Sequence, residues 1–277
     1  MNTLTTLSDL RTARLSLKGT VGLVPTMGYL HEGHLSLIRQ AKAECDHVIV
    51  TIFVNPTQFG PTEDLSKYPR DLDRDLNLIS PLGVALVWNP TAEGMYPAGY
   101  QTWVEVEAMT QPLEGSMRPG HFKGVTTVVA KLFNATQPDK AYFGQKDAQQ
   151  VAVIRQMTLD LNFPLEIVVC PTTREADGLA MSSRNKYLNE AERKAATVLF
   201  RSLSAAKELY ESGERDAEKL RGRMKEVLAA EPLAQMQYVS CADYDTLEEL
   251  SEIKGKALLS MAVFLGKTRL IDNFVLG

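Results

Sequence analysis

From residue 20 onward, short apolar runs alternate with stretches whose apolar positions recur at helical spacing. Residues 20–25 (TVGLVP), 47–54 (HVIVTIFV), 84–88 (VALVW), 140–143 and 165–170 (LEIVVC) read as strands. The second run is β-branched and nearly continuously apolar, as a strand covered on both faces should be. Between these runs, residues 34–44, 70–79, 124–135 and 147–161 carry helical patterns. Strand, helix, strand in this rhythm implies parallel pairing, and hence a doubly wound α/β sheet. Ligands of such sheets bind beyond the carboxyl ends of the strands. The Gly- and Pro-bearing segments that follow the strands are therefore where chemistry is expected. After about residue 172 the pattern changes. Residues 189–212 and 216–231 look like charged amphipathic helices, and 237–242, 257–265 and 268–275 like strands, with Gly266 and Lys267 at a tight turn. The division expected is a domain over 1–172 and a smaller C-terminal α+β domain over 173–277.

Composition narrows the class. A chain of 277 residues suits one large or two modest domains. Its 44% hydrophobic and 23% charged content is that of an ordinary globular protein and excludes a disordered one. Thirty Lys and Arg against thirty-four Asp and Glu leave a net charge of −4, without the basic excess of a general nucleic-acid binder. No apolar run is long enough to span a bilayer, and the first residues mix charge throughout without a signal-peptide core. Cys45, Cys170 and Cys241 are scattered and odd in number, which fits neither a disulfide framework nor a zinc knuckle. The expected home is the cytoplasm, with neither nucleic acid nor membrane as partner.

The most informative segment is 25–34, PTMGYLHEGH, which follows the first strand and opens a helix. Two of the four histidines fall here, three residues apart. A helix N-terminus offers unpaired N–H groups and a positive dipole end, and so favours an anion such as phosphate. Gly28 and Gly33 allow backbone to approach a ligand closely. Imidazoles placed there can donate to phosphoryl oxygens as charge builds up. The alternative is two loop histidines, one of them capping the helix. A zinc site fits less well, because HEGH is one residue short of the HExxH spacing and no third ligand is obvious. Gly266-Lys267-Thr268 ends like a P-loop, but Met261 stands where its first glycine is needed.

PTMGYLHEGH resembles the HIGH-type signature of the nucleotidyltransferase superfamily, which includes class I aminoacyl-tRNA synthetases. More specifically, the chain resembles the pantothenate synthetase (pantoate–β-alanine ligase) family. The match continues through FVNPTQF (53–59), YPRDLDRDL (68–76), LEGSMRPGHFKGV (113–125), PDKAYFGQKDAQQ (138–150), READGLAMSSRNKYL (174–188) and RLIDN (269–273). It covers almost the whole chain in order. The resemblance implies a Rossmann-like domain over 1–172 that binds ATP and pantoate, a C-terminal lid domain over 173–277, and a homodimer. It implies ATP-dependent condensation of (R)-pantoate with β-alanine through a pantoyl adenylate, releasing pyrophosphate and AMP.

Carried over residue by residue, it makes His31, His34 and Lys146 catalytic, with His34 at the position labelled as proton donor. It assigns ATP to Met27, Gly28, Tyr29, Leu30, His31, Glu32, Gly33 and His34. It extends that site through Gly144, Gln145, Lys146, Asp147, Thr173, Met181, Ser182, Ser183 and Arg184, where MSSR is similar to the KMSKS loop. Gln145 departs from the glutamate more frequent in the family. Gln58 and Gln150 are implied to hold pantoate, with Asn55 in the same neighbourhood, and Arg118 and His121 to line the pocket. Asp73 and Asp75 stand where the family places acidic residues near Mg2+, although their spacing also suits a solvated helix face. A plain nucleotidyltransferase and a non-catalytic binding protein are the other readings of this scaffold. The glutamines in FVNPTQF and KDAQQ favour the ligase over the first, and the intact HEGH, Lys146 and 182–184 disfavour the second.

Overall fold

In the computed structural model, which describes residues 1–61 and 63–277, the first five apolar runs form strands of one parallel sheet. Its strands are β1 (Asn2–Leu4), β2 (Val21–Thr26), β3 (His47–Ile52), β4 (Leu86–Trp88), β5 (Lys140–Gly144) and β6 (Glu166–Cys170). They lie in the order β1-β4-β3-β2-β5-β6, all pairs parallel. β2 and β3 pair over six residues, and Val21, Leu23, Val24, Val48, Ile49 and Val50 are wholly buried. The Glu32–Glu44 helix buries Leu37, Ile38 and Ala41 against Val24, Val48 and Val50. The order of strands reverses between β2 and β5. The segments leaving those two strands, 27–34 and 145–150, are the ones in which chemistry is expected.

β1 and a helix at Leu7–Ser16 are absent from the hydrophobic pattern. β1 is a three-residue edge strand with mostly exposed side chains, and the helix buries only Leu10. Arg14 fastens that helix by donating to Thr136 O at 2.8 Å and Gln137 O at 2.9 Å.

By contact the chain divides into two units, residues 1–144 with 153–171, and residues 145–152 with 172–277. The second unit carries an antiparallel sheet of β7 (Ala234–Asp243), β8 (Ala257–Leu265) and β9 (Thr268–Leu276), turning through Gly266 and Lys267. Alternate β8 residues Leu259, Met261, Val263 and Leu265 share a core with Leu199, Leu203, Leu220 and Met224 from two helices. The pattern predicts one helix over 189–212. Instead Glu190–Ala195 and Val198–Glu211 are separate, with a tighter bond from Leu199 N–H to Ala196 O interrupting the regular ladder. β7 begins at Ala234, earlier than residue 237, and contains a bulge between Met236 and Tyr238.

In the first unit, the His121–Thr136 helix and the turn Pro56–Gln58 meet backbone to backbone. A Cβ at Gly124 would lie 2.5 Å from Thr57 O and 2.7 Å from the Gln58 Cα, so only glycine fits. His121 Nδ1–H donates to Gln58 O at 2.8 Å, because a carbonyl can only accept. Arg118 Nη1 in turn donates to His121 Nε2 at 3.1 Å, and its remaining nitrogens hold Glu63 at 2.7 Å each. Arg118 and His121 thus fix the turn that carries Gln58.

Burial, helped by the Arg118 charge, lowers the His121 pKa to about 4. The unfolded chain binds that proton near the ordinary value of 6.5. Stability from this group is therefore full above about pH 6.5 and falls between roughly 6.5 and 4, by up to about 3 kcal/mol, then levels off. His121→Gln keeps a donor for Gln58 O but cannot titrate, so denaturant melts at about pH 7 and pH 5 should show a smaller loss than the parent. An equal loss in both proteins would remove His121 as the titrating group.

Candidate active site

β2 ends at Thr26, whose hydroxyl donates to Thr51 O at 2.7 Å and accepts from the Gly28 N–H at 3.2 Å. The chain then turns through Gly28 at φ +83° and Tyr29 at φ +52°. A Cβ at Gly28 would lie 3.0 Å from Ile52 and 3.2 Å from Asp75, so both conformation and space call for glycine. Asp75 is only 1% exposed, and its two oxygens accept from Tyr29 N–H at 2.6 Å and Leu30 N–H at 2.7 Å. Arg74 completes the grip, donating to Leu30 O at 2.9 Å with its guanidinium 4.7 Å from the Tyr29 ring centre. Burial pushes the Asp75 carboxyl above its ordinary value, against the opposing pull of the Leu30 and Tyr29 N–H groups and Arg74.

His31 is the N-cap of the Glu32–Glu44 helix. Its Nδ1 accepts from Gly33 N–H at 3.2 Å, while His34 Nδ1 accepts from His31 N–H at 3.3 Å. The two ring centres are 4.1 Å apart. A backbone N–H can only donate, so both Nδ1 atoms are acceptors and the ring proton of each neutral imidazole sits on Nε2. Capping the helix and donating to a ligand are therefore compatible, because they use different nitrogens. Within the same segment, Leu30 is fully buried and Glu32 pairs with Arg39 on its own helix.

Two neighbours expected beside ligands have other engagements. Asn55 is 1% exposed and bonded through both ends of its amide. Asp73 is exposed in the first turn of the Leu72–Ile79 helix, whereas both oxygens of Asp75 are occupied by backbone donors. Among the described residues, no group of three or more His, Cys, Asp or Glu could hold an ion. Gln58 does reach the first loop, with Nε2 3.3 Å from Met27 Sδ.

In the second unit, Lys146 lies in the turn Gln145–Asp147, its Nζ 3.5 Å from Asp147 Oδ1. Asn273 of β9 clamps this turn. Its Nδ2 donates to Gln145 O at 3.0 Å and Lys146 O at 2.9 Å, and its Oδ1 accepts from Gln145 Nε2 at 3.1 Å. The glutamine at 145 thus acts as a donor, which a glutamate carboxylate cannot do. Gln150 follows on the Ala148–Asp160 helix. Thr173 O accepts from Met181 N–H at 3.0 Å, closing a narrow hairpin that delivers Ser182. Ser182 Oγ accepts from Arg184 N–H at 3.2 Å, and Asn185 ties the loop to Glu175 Oε1 and Ala180 O at 3.0 Å each. Sequence reasoning missed the tasks of Asp75 and Asn273. The motif at 269–273 marks Asn273, but its partner lies 128 positions away, beyond the reach of any local pattern.

Known proteins share this fold and much of this sequence. The chain is 63% identical to the pantothenate synthetase of Roseiflexus sp. (strain RS-1), over 100% of its own length and 99% of that protein's. It is 59% identical to the pantothenate synthetase of Herpetosiphon aurantiacus, over 100% of both. The crystal structure of pantothenate synthetase from Thermus thermophilus superposes with a TM-score of 0.95 at 47% identity, covering 99% of each chain. That of pantoate-beta-alanine ligase from Francisella tularensis, complexed with beta-gamma ATP and beta-alanine, gives 0.81 at 37% identity, covering 99% of this chain and 97% of that one. Residues 2–275 match the sequence model of pantoate-beta-alanine ligase, and the chain belongs to that family.

Proposed function

We propose that this chain uses ATP to convert (R)-pantoate to an enzyme-bound pantoyl adenylate, then passes the pantoyl group to β-alanine to make pantothenate. Family membership makes it an AMP-forming pantoate–β-alanine ligase of pantothenate biosynthesis. In the first step a pantoate carboxylate oxygen bonds to the α-phosphorus, and the bond to the bridging oxygen breaks to release pyrophosphate. In the second the β-alanine amine attacks the acyl carbonyl, and AMP leaves. Because an anion is brought onto an anion, the protein's work is positioning and charge neutralisation.

The observation that carries the reading is the fixed tautomer of His31 and His34. With both Nδ1 atoms accepting backbone N–H groups, the Nε2–H groups serve as donors to phosphoryl oxygens. Lys146 supplies a point charge to the triphosphate, and Ser182, Ser183 and Arg184 wrap its oxygens. Gln58 and Gln150 hold pantoate. Mg2+ bound with ATP would supply charge neutralisation to the departing pyrophosphate, and Asp73 and Asp75 are the residues that the family resemblance would put near it. The family resemblance supports a cytoplasmic homodimer. No helix among the described residues is long and apolar enough to cross a membrane.

ATP–pyrophosphate exchange tests the order: it should require pantoate and Mg2+ but not β-alanine. Exchange driven by β-alanine alone would overturn the order, and exchange with a phosphorylated alcohol instead would indicate a plain nucleotidyltransferase. His34→Ala should slow adenylation about a hundredfold or more, the cost of roughly 3 kcal/mol for one lost donor to developing charge. Near-normal exchange in that variant would take His34 out of the mechanism.

Asn273→Asp turns an oxygen toward the two carbonyls that Asn273 now holds, releasing the Gln145–Asp147 turn. It should raise the KM for ATP and lower kcat, and adding Lys146→Ala should cost little more than Lys146→Ala alone. Additive losses in this cycle would show that Asn273 does not act through Lys146.

A further inference from the structure

Asn55 fixes the direction of the Gln58 amide. Its Nδ2 donates to Gly124 O at 3.1 Å and to Gln58 Oε1 at 3.0 Å, while its Oδ1 accepts from Thr57 Oγ1 at 3.0 Å and Tyr96 Oη at 2.8 Å. The Gly124 carbonyl is an acceptor only, so it decides which end of the buried Asn55 amide is nitrogen. Gln58 must then spend its oxygen on Asn55 and turn Nε2 outward, where its partner is the weak acceptor Met27 Sδ at 3.3 Å. A substrate oxygen replaces such a partner readily.

Tyr96 is the outermost member of this chain of bonds. Its hydroxyl lies within reach of both Thr57 Oγ1, at 3.3 Å, and Asn55 Oδ1. Its ring is held by Tyr100 at 5.1 Å edge-on, by Trp103 stacked at 6.4 Å, and by the Lys131 ammonium 5.7 Å from its centre. Burial raises the Tyr96 pKa above its ordinary value, so the phenol stays a donor throughout the working pH range. Without that donor, a buried amide oxygen keeps Thr57 alone, and the energetic preference for one orientation of Asn55 is weakened.

We propose that Tyr96 is a positioning residue for pantoate: through Asn55 it holds Gln58 with its amide N–H groups toward the substrate's oxygens. Asn55 serves the same relay and does not itself bind substrate. The inference rests on the reading of Gln58 as a pantoate residue.

The test compares Tyr96→Phe, Thr57→Val, Asn55→Ala and Gln58→Ala by ATP–pyrophosphate exchange, varying pantoate and ATP separately. Tyr96→Phe keeps the ring and its packing, so its melting temperature should stay close to the parent's. Its KM for pantoate should rise roughly tenfold, the scale of one net hydrogen bond, with the KM for ATP unchanged. Thr57→Val should show the same selectivity. In an Asn55→Ala background, Tyr96→Phe should have no further effect on pantoate, because the relay is already cut. A pantoate KM unchanged in Tyr96→Phe while Gln58→Ala raises it would overturn the relay alone. A pantoate KM unchanged in Gln58→Ala would instead overturn the underlying reading of Gln58. Equal rises for pantoate and ATP in Tyr96→Phe would show a general structural defect and likewise overturn the proposal.

Discussion

The site in the first unit depends on one buried carboxylate. Asp75 takes the N–H groups of Tyr29 and Leu30, the two residues that carry the chain from β2 to the start of the next helix. Tyr29 sits at positive φ, a conformation that costs an L-residue roughly 1–2 kcal/mol. Two short charge-assisted bonds and the Arg74 guanidinium over the Tyr29 ring offset that cost. The consequence is positional. His31 arrives at the N-cap and His34 one turn later, so each ring can close on the backbone of the other's neighbourhood. With one backbone amide held on each oxygen, Asp75 reads as architecture.

The second unit solves the same problem with different groups. The Arg174 guanidinium lies 5.0 Å from the ring centres of Phe200 and Phe274 and pairs with both oxygens of Asp272, at 2.7 and 2.9 Å. Asp272, itself 2% exposed, also accepts from the N–H of Asn273. A buried ion pair of this kind is poor evidence for stability, since desolvation opposes its attraction. Its value here lies in geometry: with every partner satisfied, Asp272 leaves Asn273 one place to stand, and Asn273 leaves the Gln145–Asp147 turn one shape to adopt.

The centre of the parallel sheet was legible in the sequence because its strands are buried on both faces and must be apolar without interruption. β1 and the Leu7–Ser16 helix were not, because an edge strand and a helix with one buried side chain need no such pattern. The spacing of His31 and His34 was legible too, and for a reason the residue types obscure. Positions N-cap and N3 are those of a capping box, usually filled by Ser or Thr and Glu, and here by two imidazoles. Asp75, Tyr96 and Asn273 left no local trace of their tasks. Their partners lie 46, 41 and 128 positions away respectively, and folding alone brings them into contact.

The polarity of the whole arrangement follows from groups whose character is chemically fixed. Backbone N–H groups can only donate, and they consume Nδ1 of both histidines and both oxygens of Asp75. A backbone carbonyl can only accept, and it orients Asn55, which in turn consumes the oxygen of Gln58. For the two imidazoles and the Gln58 amide, an acceptor atom is spent inside the protein. A site proposed to take phosphates and a carboxylate needs that bias, since an acceptor aimed at an anionic oxygen repels it. Under that proposal, tautomer and amide orientation provide donors without the desolvation cost that buried charges carry.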